Sequence, residues 1–357
     1  MKIPPVEVVA SWPRPNYRDP ESRAPAGQII GSILLALVTI IVAIRLYSRK
    51  RLTNGFGLDD TFICLAYVPA TAFTITGIVT QELLQWGRHI WDVEPKFLSP
   101  NLLLALIHLF LFDLATSLTK LSILAMVRRL TAASGNKIEH AAVLILAALV
   151  SANCFIFIIV EIFQCWPISS AWTISETSDY CINEEAHLIS ANIINTITDF
   201  IVVLLPIRAT MTFQLSSRQR VIVVSLFGIG LIASSVGIAR TYFTWLQLTA
   251  ADYDTTWQSW YVWLSSLIEL HLGIICASVP ATKPLFTSFV ASITKFTQER
   301  TKSFKAFELR ETRHDEYKSI SSDNSILSLS PTMPHRDIGI HNLSLATISR
   351  NPQPGDF

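Results

Sequence analysis

The chain has 357 residues, 50% hydrophobic and 15% charged, with a formal net charge of +1 and a mean hydropathy of +0.42. This balance points away from a soluble globular domain and excludes a basic nucleic-acid binder. Five cysteines without a Cys-x-x-Cys pair or a His-rich neighbour leave no zinc or redox site to expect.

Residues 1–26 come first. Pro4, Pro5, Pro13, Pro15 and Pro20, with no apolar run long enough for a signal-peptide core, predict a short extended or disordered arm. Seven apolar stretches follow, at 27–46, 61–79, 102–127, 141–163, 188–205, 221–246 and 259–279. A helix needs about 20 mostly apolar residues to cross roughly 30 Å of hydrocarbon, and each stretch is near or above that length. Lipid leaves backbone polar groups without partners except in helices and closed barrels, and no run of alternating polarity indicates a barrel. The predicted fold is therefore an all-α membrane protein, a seven-transmembrane-helix bundle over 27–283.

Basic residues set the predicted orientation. Arg49, Lys50 and Arg51 follow the first stretch, Arg128, Arg129 and Lys137 follow the third, and Arg208, Arg218 and Arg220 follow the fifth. The even loops carry only Arg88 and Lys96. Arg14, Arg18 and Arg23 pull the other way and are outvoted. The amino terminus is predicted outside and the carboxyl terminus in the cytosol. After Pro284, apolar residues at helical spacing ahead of Lys295, Arg300, Lys302 and Lys305 predict an amphipathic inner-leaflet helix at 284–306. Residues 307–357 form a Ser-rich cytosolic tail, predicted to be disordered.

Ionisable groups inside spanning helices cost at least about 2.5 kcal/mol each on insertion scales, so they face the bundle interior and take partners. Asp113 and Lys120 lie on the third stretch, Asp199 on the fifth, Arg240 on the sixth and Glu269 on the seventh. Counting depth from the helix ends pairs Lys120 with Asp199, and Arg240 with Glu269 or Asp113. Asp113, Thr116, Ser117 and Lys120 share one helix face, as do Asn192, Asn195, Thr196 and Asp199 on the fifth. The candidate ligand-binding or bundle-locking network is Asp113, Ser117, Lys120, Asn195, Asp199, Arg240 and Glu269; either role accounts for the pattern. Gly230, Ser234 and Gly237 form a small-residue edge for close helix contact. His271 is read as a packed polar residue, and Asp59 and Asp60 as caps at the mouth of the second helix. Cys165 and Cys181 both fall in the fourth loop, on the predicted outside where disulfides persist, so a bond between them is expected. Cys64, Cys154 and Cys276 fall inside spans as free thiols.

These landmarks sit within phrases that resemble the fungal rhodopsin-domain family. They are Gly57-Leu58-Asp59-Asp60, Lys120-Leu121-Ser122-Ile123-Leu124 with Arg129-Leu130, and Phe163-Gln164-Cys165-Trp166-Pro167 with Ala171-Trp172 and Cys181. Further along come Asp199 with Pro206, Arg218-Gln219-Arg220, Gly228 and Gly230 before Arg240, Asp254-Thr255-Thr256, Trp263 with Glu269, and Pro280 with Pro284. The resemblance covers about residues 27–290. It implies a receptor-like bundle, grouped with fungal G-protein-coupled receptors mostly without an assigned ligand.

The leading functional expectation is a receptor-like sensor that binds an extracellular small molecule within the bundle. The alternative is a small-solute or ion- or proton-coupled transporter or channel, in which Asp113, Asp199 and Glu269 would be coupling sites, although no internal repeat accompanies it. The spans offer only His108 and His271 and no nucleophile motif, so no enzyme, catalytic residue or metal is expected. Retinal would need a lysine in the seventh span to form its Schiff base, and none lies at 259–279. Lys120 falls too near the inner face to replace it, so no cofactor is expected. The expected partners are the lipid bilayer, a small-molecule ligand and a cytosolic signalling protein, with no nucleic acid; the plasma membrane is the default location.

Overall fold

The computed structural model describes residues 4–52, 55–134, 137–173, 181–211 and 217–280. The expected amphipathic segment at 284–306 and the Ser-rich tail at 307–357 lie outside the described residues. The helices are α1 (Val6–Ser11), α2 (Ala24–Tyr47), α3 (Leu58–Leu83), α4 (Leu98–Ser134), α5 (Lys137–Ile162), α6 (Glu184–Met211), α7 (Ser217–Thr249) and α8 (Thr255–Pro280). No strand occurs among the described residues, which hold only two isolated bridges, Ser22 with Arg88 and Cys165 with Cys181. Six of the helices, α2 to α6 and α8, are long and apolar enough to cross a membrane.

What surrounds the bundle is written in its exposed residues. Ile29, Ile33, Leu37 and Ile40 line the outer face of α2, and Leu144, Ile145, Leu149, Phe155, Ile156 and Ile159 that of α5. Ile193, Ile194, Ile197, Ile201 and Leu204 do the same on α6. Apolar stripes at helical spacing on the outside, with Arg45, Asp60, Lys120, Arg240 and Glu269 inside, reverse the arrangement of a protein solvated by water. The chain is an integral multi-pass membrane protein.

Each helix starts where chemistry allows. Pro25 stands in the first turn of α2, where its missing N–H costs nothing. Asp60 accepts the Gly57 N–H at 3.1 Å at the head of α3, and Asp59 and Asp60 together meet the positive end of the helix dipole. The helix α4, with 37 residues, is roughly 55 Å long at 1.5 Å per residue. It therefore projects beyond the hydrocarbon, and it packs against α3, α5 and α6. The most enclosed span is α8, with 61% of its apolar stretch buried against 22–39% in the others. Its Trp263, Leu267, Leu270 and Ile274 meet Val38, Ile63, Phe73, Leu124 and Val127 in the apolar core.

Two glycines mark close approaches. A Cβ on Gly77 of α3 would fall within 3 Å of the Trp263 indole, and Trp263 is packed between Phe73 and Trp86. Gly77→Ala should cost about 1–3 kcal/mol, as overpacked cores do, read as a lowered thermal midpoint of the purified protein in detergent. Gly237 on the small-residue edge of α7 lies beside Thr196 of α6 and Glu269 of α8, where a Cβ would sit 3.0 and 3.2 Å from their oxygens.

The amino-terminal arm differs from the expectation of an extended or disordered segment. After α1, Trp12 Nε1 donates to Asp252 O at 2.9 Å, the Asn16 N–H to Asp92 Oδ1 at 2.8 Å, and the Arg23 N–H to Gly87 O at 3.1 Å. The proline-rich composition gives no regular structure across most of the arm, yet single residues anchor it onto the α3–α4 and α7–α8 connections. The end of the bundle carrying these contacts is called the arm end below.

Candidate functional site

Inside the bundle one continuous polar chain joins α4, α6, α7 and α8. Lys120 Nζ lies 3.1 Å from Asp199 Oδ1 and donates to Asn195 Oδ1 and Thr198 Oγ1, each at 2.8 Å. Asn195 Nδ2 donates to Asp199 Oδ2 at 3.1 Å and to Glu269 Oε1 at 2.8 Å. Glu269 Oε2 in turn accepts Arg240 Nε at 2.9 Å, and Arg240 Nη1 donates to Asn192 Oδ1. Asn192 closes the run through Nδ2 to Thr244 Oγ1 at 2.8 Å. Phe112 covers the Arg240 guanidinium, 4.4 Å from its ring centroid. Lys120 is thus paired with Asp199, and Arg240 with Glu269 rather than Asp113. The asparagine between the two pairs is the link, and it uses both ends of its amide to do so.

Asp113 lies off this chain. Its carboxyl faces that of Glu161 on α5. Ser117, one turn along α4, is buried on the same face. The sequence reading missed Glu161, which stands at the end of its apolar run beside Ile162 and Phe163. The expected packed role of His271 matches its surroundings: it is fully buried, and Nδ1 donates to Leu267 O at 2.7 Å.

A second charged cluster was not anticipated. Arg45 at the end of α2 is fully buried; its Nε lies 2.9 Å from Asp60 Oδ1 and its Nη2 2.9 Å from Asp59 Oδ2. Its Nη1 donates to Ala277 O of α8 at 2.6 Å. Arg49 adds a contact of 2.8 Å to Asp59 Oδ2, and Ser122 of α4 donates to Asp59 O at 2.6 Å. The two aspartates therefore do more than cap α3: they anchor a planar guanidinium that ties α2, α3 and α8 together, with α4 joined through Ser122.

The arm end holds a third group of contacts. His89 stacks between Trp91 and Trp257, with ring centroids 4.7 and 4.0 Å away, and its Nδ1 lies 2.5 Å from Asp254 Oδ2. Burial pushes the Asp254 carboxyl above the usual carboxylate range, against His89 and the Ile90 N–H, which both favour its ionised form. Cys165 and Cys181 are joined as a disulfide that fastens the α5–α6 connection, and Cys64, Cys154 and Cys276 form no disulfide.

The space beside the polar chain is small. A cavity of about 40 Å³ touches Thr116, Lys120, Asp199, Ser234 and Glu269. That volume admits a few waters, far short of the roughly 300 Å³ of a small-molecule pocket. The expectation of a ligand seated within the bundle thus meets side chains that already satisfy one another. An open groove of about 440 Å³ between α6 and α7 is lined by Ile193, Ile197, Ile238, Tyr242 and Trp245, a surface suited to acyl chains.

Apolar stripes facing outward and neutralised charges within define a polytopic helical membrane protein with a buried electrostatic lock. The family follows from the comparisons: the fungal rhodopsin domain matches residues 44–288, and the chain belongs to that family. A "Wortmanamides biosynthesis cluster protein C" of Talaromyces wortmannii is 23% identical over 286 residues, 78% of this chain and 75% of its own length. A "SAT4 family membrane protein" of Emericella nidulans is 28% identical over 207 residues, 57% of this chain and 50% of its own. "Receptor GIN3" of Arthrobotrys oligospora is 22% identical over 264 residues, 73% and 62% of the two chains. This chain therefore spans half to three quarters of the length of these relatives. No solved structure matches it.

The family name raises retinal, and the residues present do not fit it. Between Thr255 and Pro280, α8 contains no lysine, and Lys120 on α4 is engaged by Asp199, Asn195 and Thr198.

Proposed function

We propose that the protein is a receptor-like sensor of an extracellular small molecule, with α7 as the seventh span, the arm end outside and the basic connections in the cytosol. The observation that carries this reading is the Asn195 bridge between the Lys120–Asp199 and Arg240–Glu269 pairs. A neutral amide holding two ion pairs on four helices is a latch whose opening lets α6 and α7 shift against α4 and α8. The relative named as a receptor supports the same class. With a water-sized cavity at the latch, the ligand acts from the arm end, and helix movement carries the message to the opposite side, where a cytosolic signalling protein waits. The network residues Asp113, Ser117, Lys120, Asn195, Asp199, Arg240 and Glu269 transmit rather than contact the ligand. No catalysis is assigned to them, and the plasma membrane is the proposed location.

The cavity beside Asp199 and Glu269 favours one competing reading, an ion- or proton-coupled transporter. Liposomes containing the purified protein separate the two. The receptor reading expects no ion or small-solute flux above empty vesicles, and a saturable flux overturns it. In a host deleted for the gene, Asn195→Leu present at wild-type surface level should fail to restore the wild-type transcript profile. Full restoration would mean the latch carries no signal.

A further inference from the structure

Arg23, the last residue of the arm before α2, places its guanidinium in an aromatic box. Its central carbon lies 3.5 Å from the Trp257 ring centroid, 4.1 Å from that of Tyr261 and 5.5 Å from that of Trp260. The only hydrogen bond from its side chain among the described residues goes to Trp257 O at 3.4 Å. No carboxylate forms an ion pair with Arg23 among the described residues; Glu21 and Asp254 act on it from farther away. The charge is therefore held chiefly by ring faces, as in sites that recognise organic cations.

Each wall of the box is fixed by something other than Arg23. Trp260 Nε1 donates to Gln81 Oε1 at 3.0 Å, Tyr261 stacks on Phe243 at 5.2 Å, and Trp257 stacks on His89 at 4.0 Å. His89 is itself held by Asp254 and Trp91. A box supported from outside keeps its shape when its occupant leaves, which is what preorganisation for a ligand requires. The occupant is tethered, so it competes at a high effective concentration.

We propose that Trp257, Trp260 and Tyr261 form a binding site for an organic cation of the guanidinium or quaternary-ammonium class, and that Arg23 fills it as a built-in competitor. A free cation entering the box displaces Arg23 and loosens the arm from the bundle. This names the ligand class for the receptor reading and rests on that reading for its signalling consequence; the binding itself does not depend on it.

The test uses the full chain in detergent, titrated with tetramethylammonium and followed by tryptophan fluorescence. Arg23→Ala should bind saturably, with an apparent affinity at least about tenfold tighter than wild type because the tethered competitor is gone. Arg23→Lys should stay close to wild type, and adding Trp257→Ala to Arg23→Ala should abolish the signal. Limited proteolysis of the wild-type protein needs no variant: saturating tetramethylammonium should speed cleavage within residues 4–23 several-fold over equal sodium chloride. Equal affinity in wild type and Arg23→Ala, a signal that survives loss of Trp257, or cleavage unchanged by the cation overturns the proposal. Such a failure removes the box and leaves the receptor reading to the flux and complementation experiments. Cation binding with no effect on the transcript profile does the opposite.

Discussion

Arg240→Ala should destabilise the protein by about 3–5 kcal/mol, the range seen when one member of a buried ion pair is removed. The variant leaves Glu269, 4% exposed, without its guanidinium, and strands the amide oxygen of Asn192 as well. Glu269→Gln should be destabilising as well, because it leaves the buried Arg240 guanidinium without its counter-charge. The diagnostic comparison is the double variant Arg240→Met with Glu269→Leu. It should be more stable than Arg240→Ala alone, since no uncompensated charge remains, and the cycle should give a coupling of roughly 1–3 kcal/mol. Thermal or denaturant unfolding of the purified variants measures this. Additive effects would mean that the two side chains are adjacent without interacting.

Arg45→Ala should have an effect of similar size at the other end of the bundle. Asp59 and Asp60 are 2% and 0% exposed, and with Arg45 gone Arg49 is the one cation among the described residues that still pairs with them. The expected loss is again about 3–5 kcal/mol, enough to remove most of the folded protein from a membrane extract. Arg45→Lys should rescue poorly: a single ammonium cannot point at Asp59, Asp60 and the Ala277 carbonyl in the fixed directions a guanidinium offers. Fluorescence-detected size exclusion reports both outcomes, and a wild-type profile for Arg45→Lys would show that charge alone suffices there.

How much of this was visible in the sequence depended on which force shaped each feature. The helices α2 to α6 and α8 follow from length and apolarity, because lipid imposes those directly. Their ends were placed several residues short: first turns such as Lys137–Glu139 and Glu184–Glu185 are polar, and helices continue past the hydrocarbon into the interface. The pairing of Lys120 with Asp199 followed from counting depth along spans whose direction alternates, which puts both residues toward the same half of the bundle. Arg45 and Glu161 escaped notice for the same reason as each other. Both stand near the end of an apolar run, where a charge ordinarily marks the water boundary, and only packing by neighbouring helices makes them interior. The arm escaped because its order comes from isolated long-range contacts by Trp12, Asn16 and Arg23, which no local periodicity announces. The volume of the cavity was equally hidden, since it depends on how Gly230, Ser234 and Gly237 let α7 settle against its neighbours.

The arrangement of charges inside the bundle also bears on electricity. A unit charge moved across a membrane held at 100 mV exchanges roughly 2.3 kcal/mol with the field. Here the pairs Lys120–Asp199 and Arg240–Glu269 each lie within about 3 Å and straddle the two helix sets, so α6 and α7 together carry one negative and one positive charge, Asp199 and Arg240, and moving them as a unit carries almost no net charge through the field. A cell's resting potential therefore has little purchase on this core, and sliding of α6 and α7 against α4 and α8 would proceed alike in polarised and depolarised membranes.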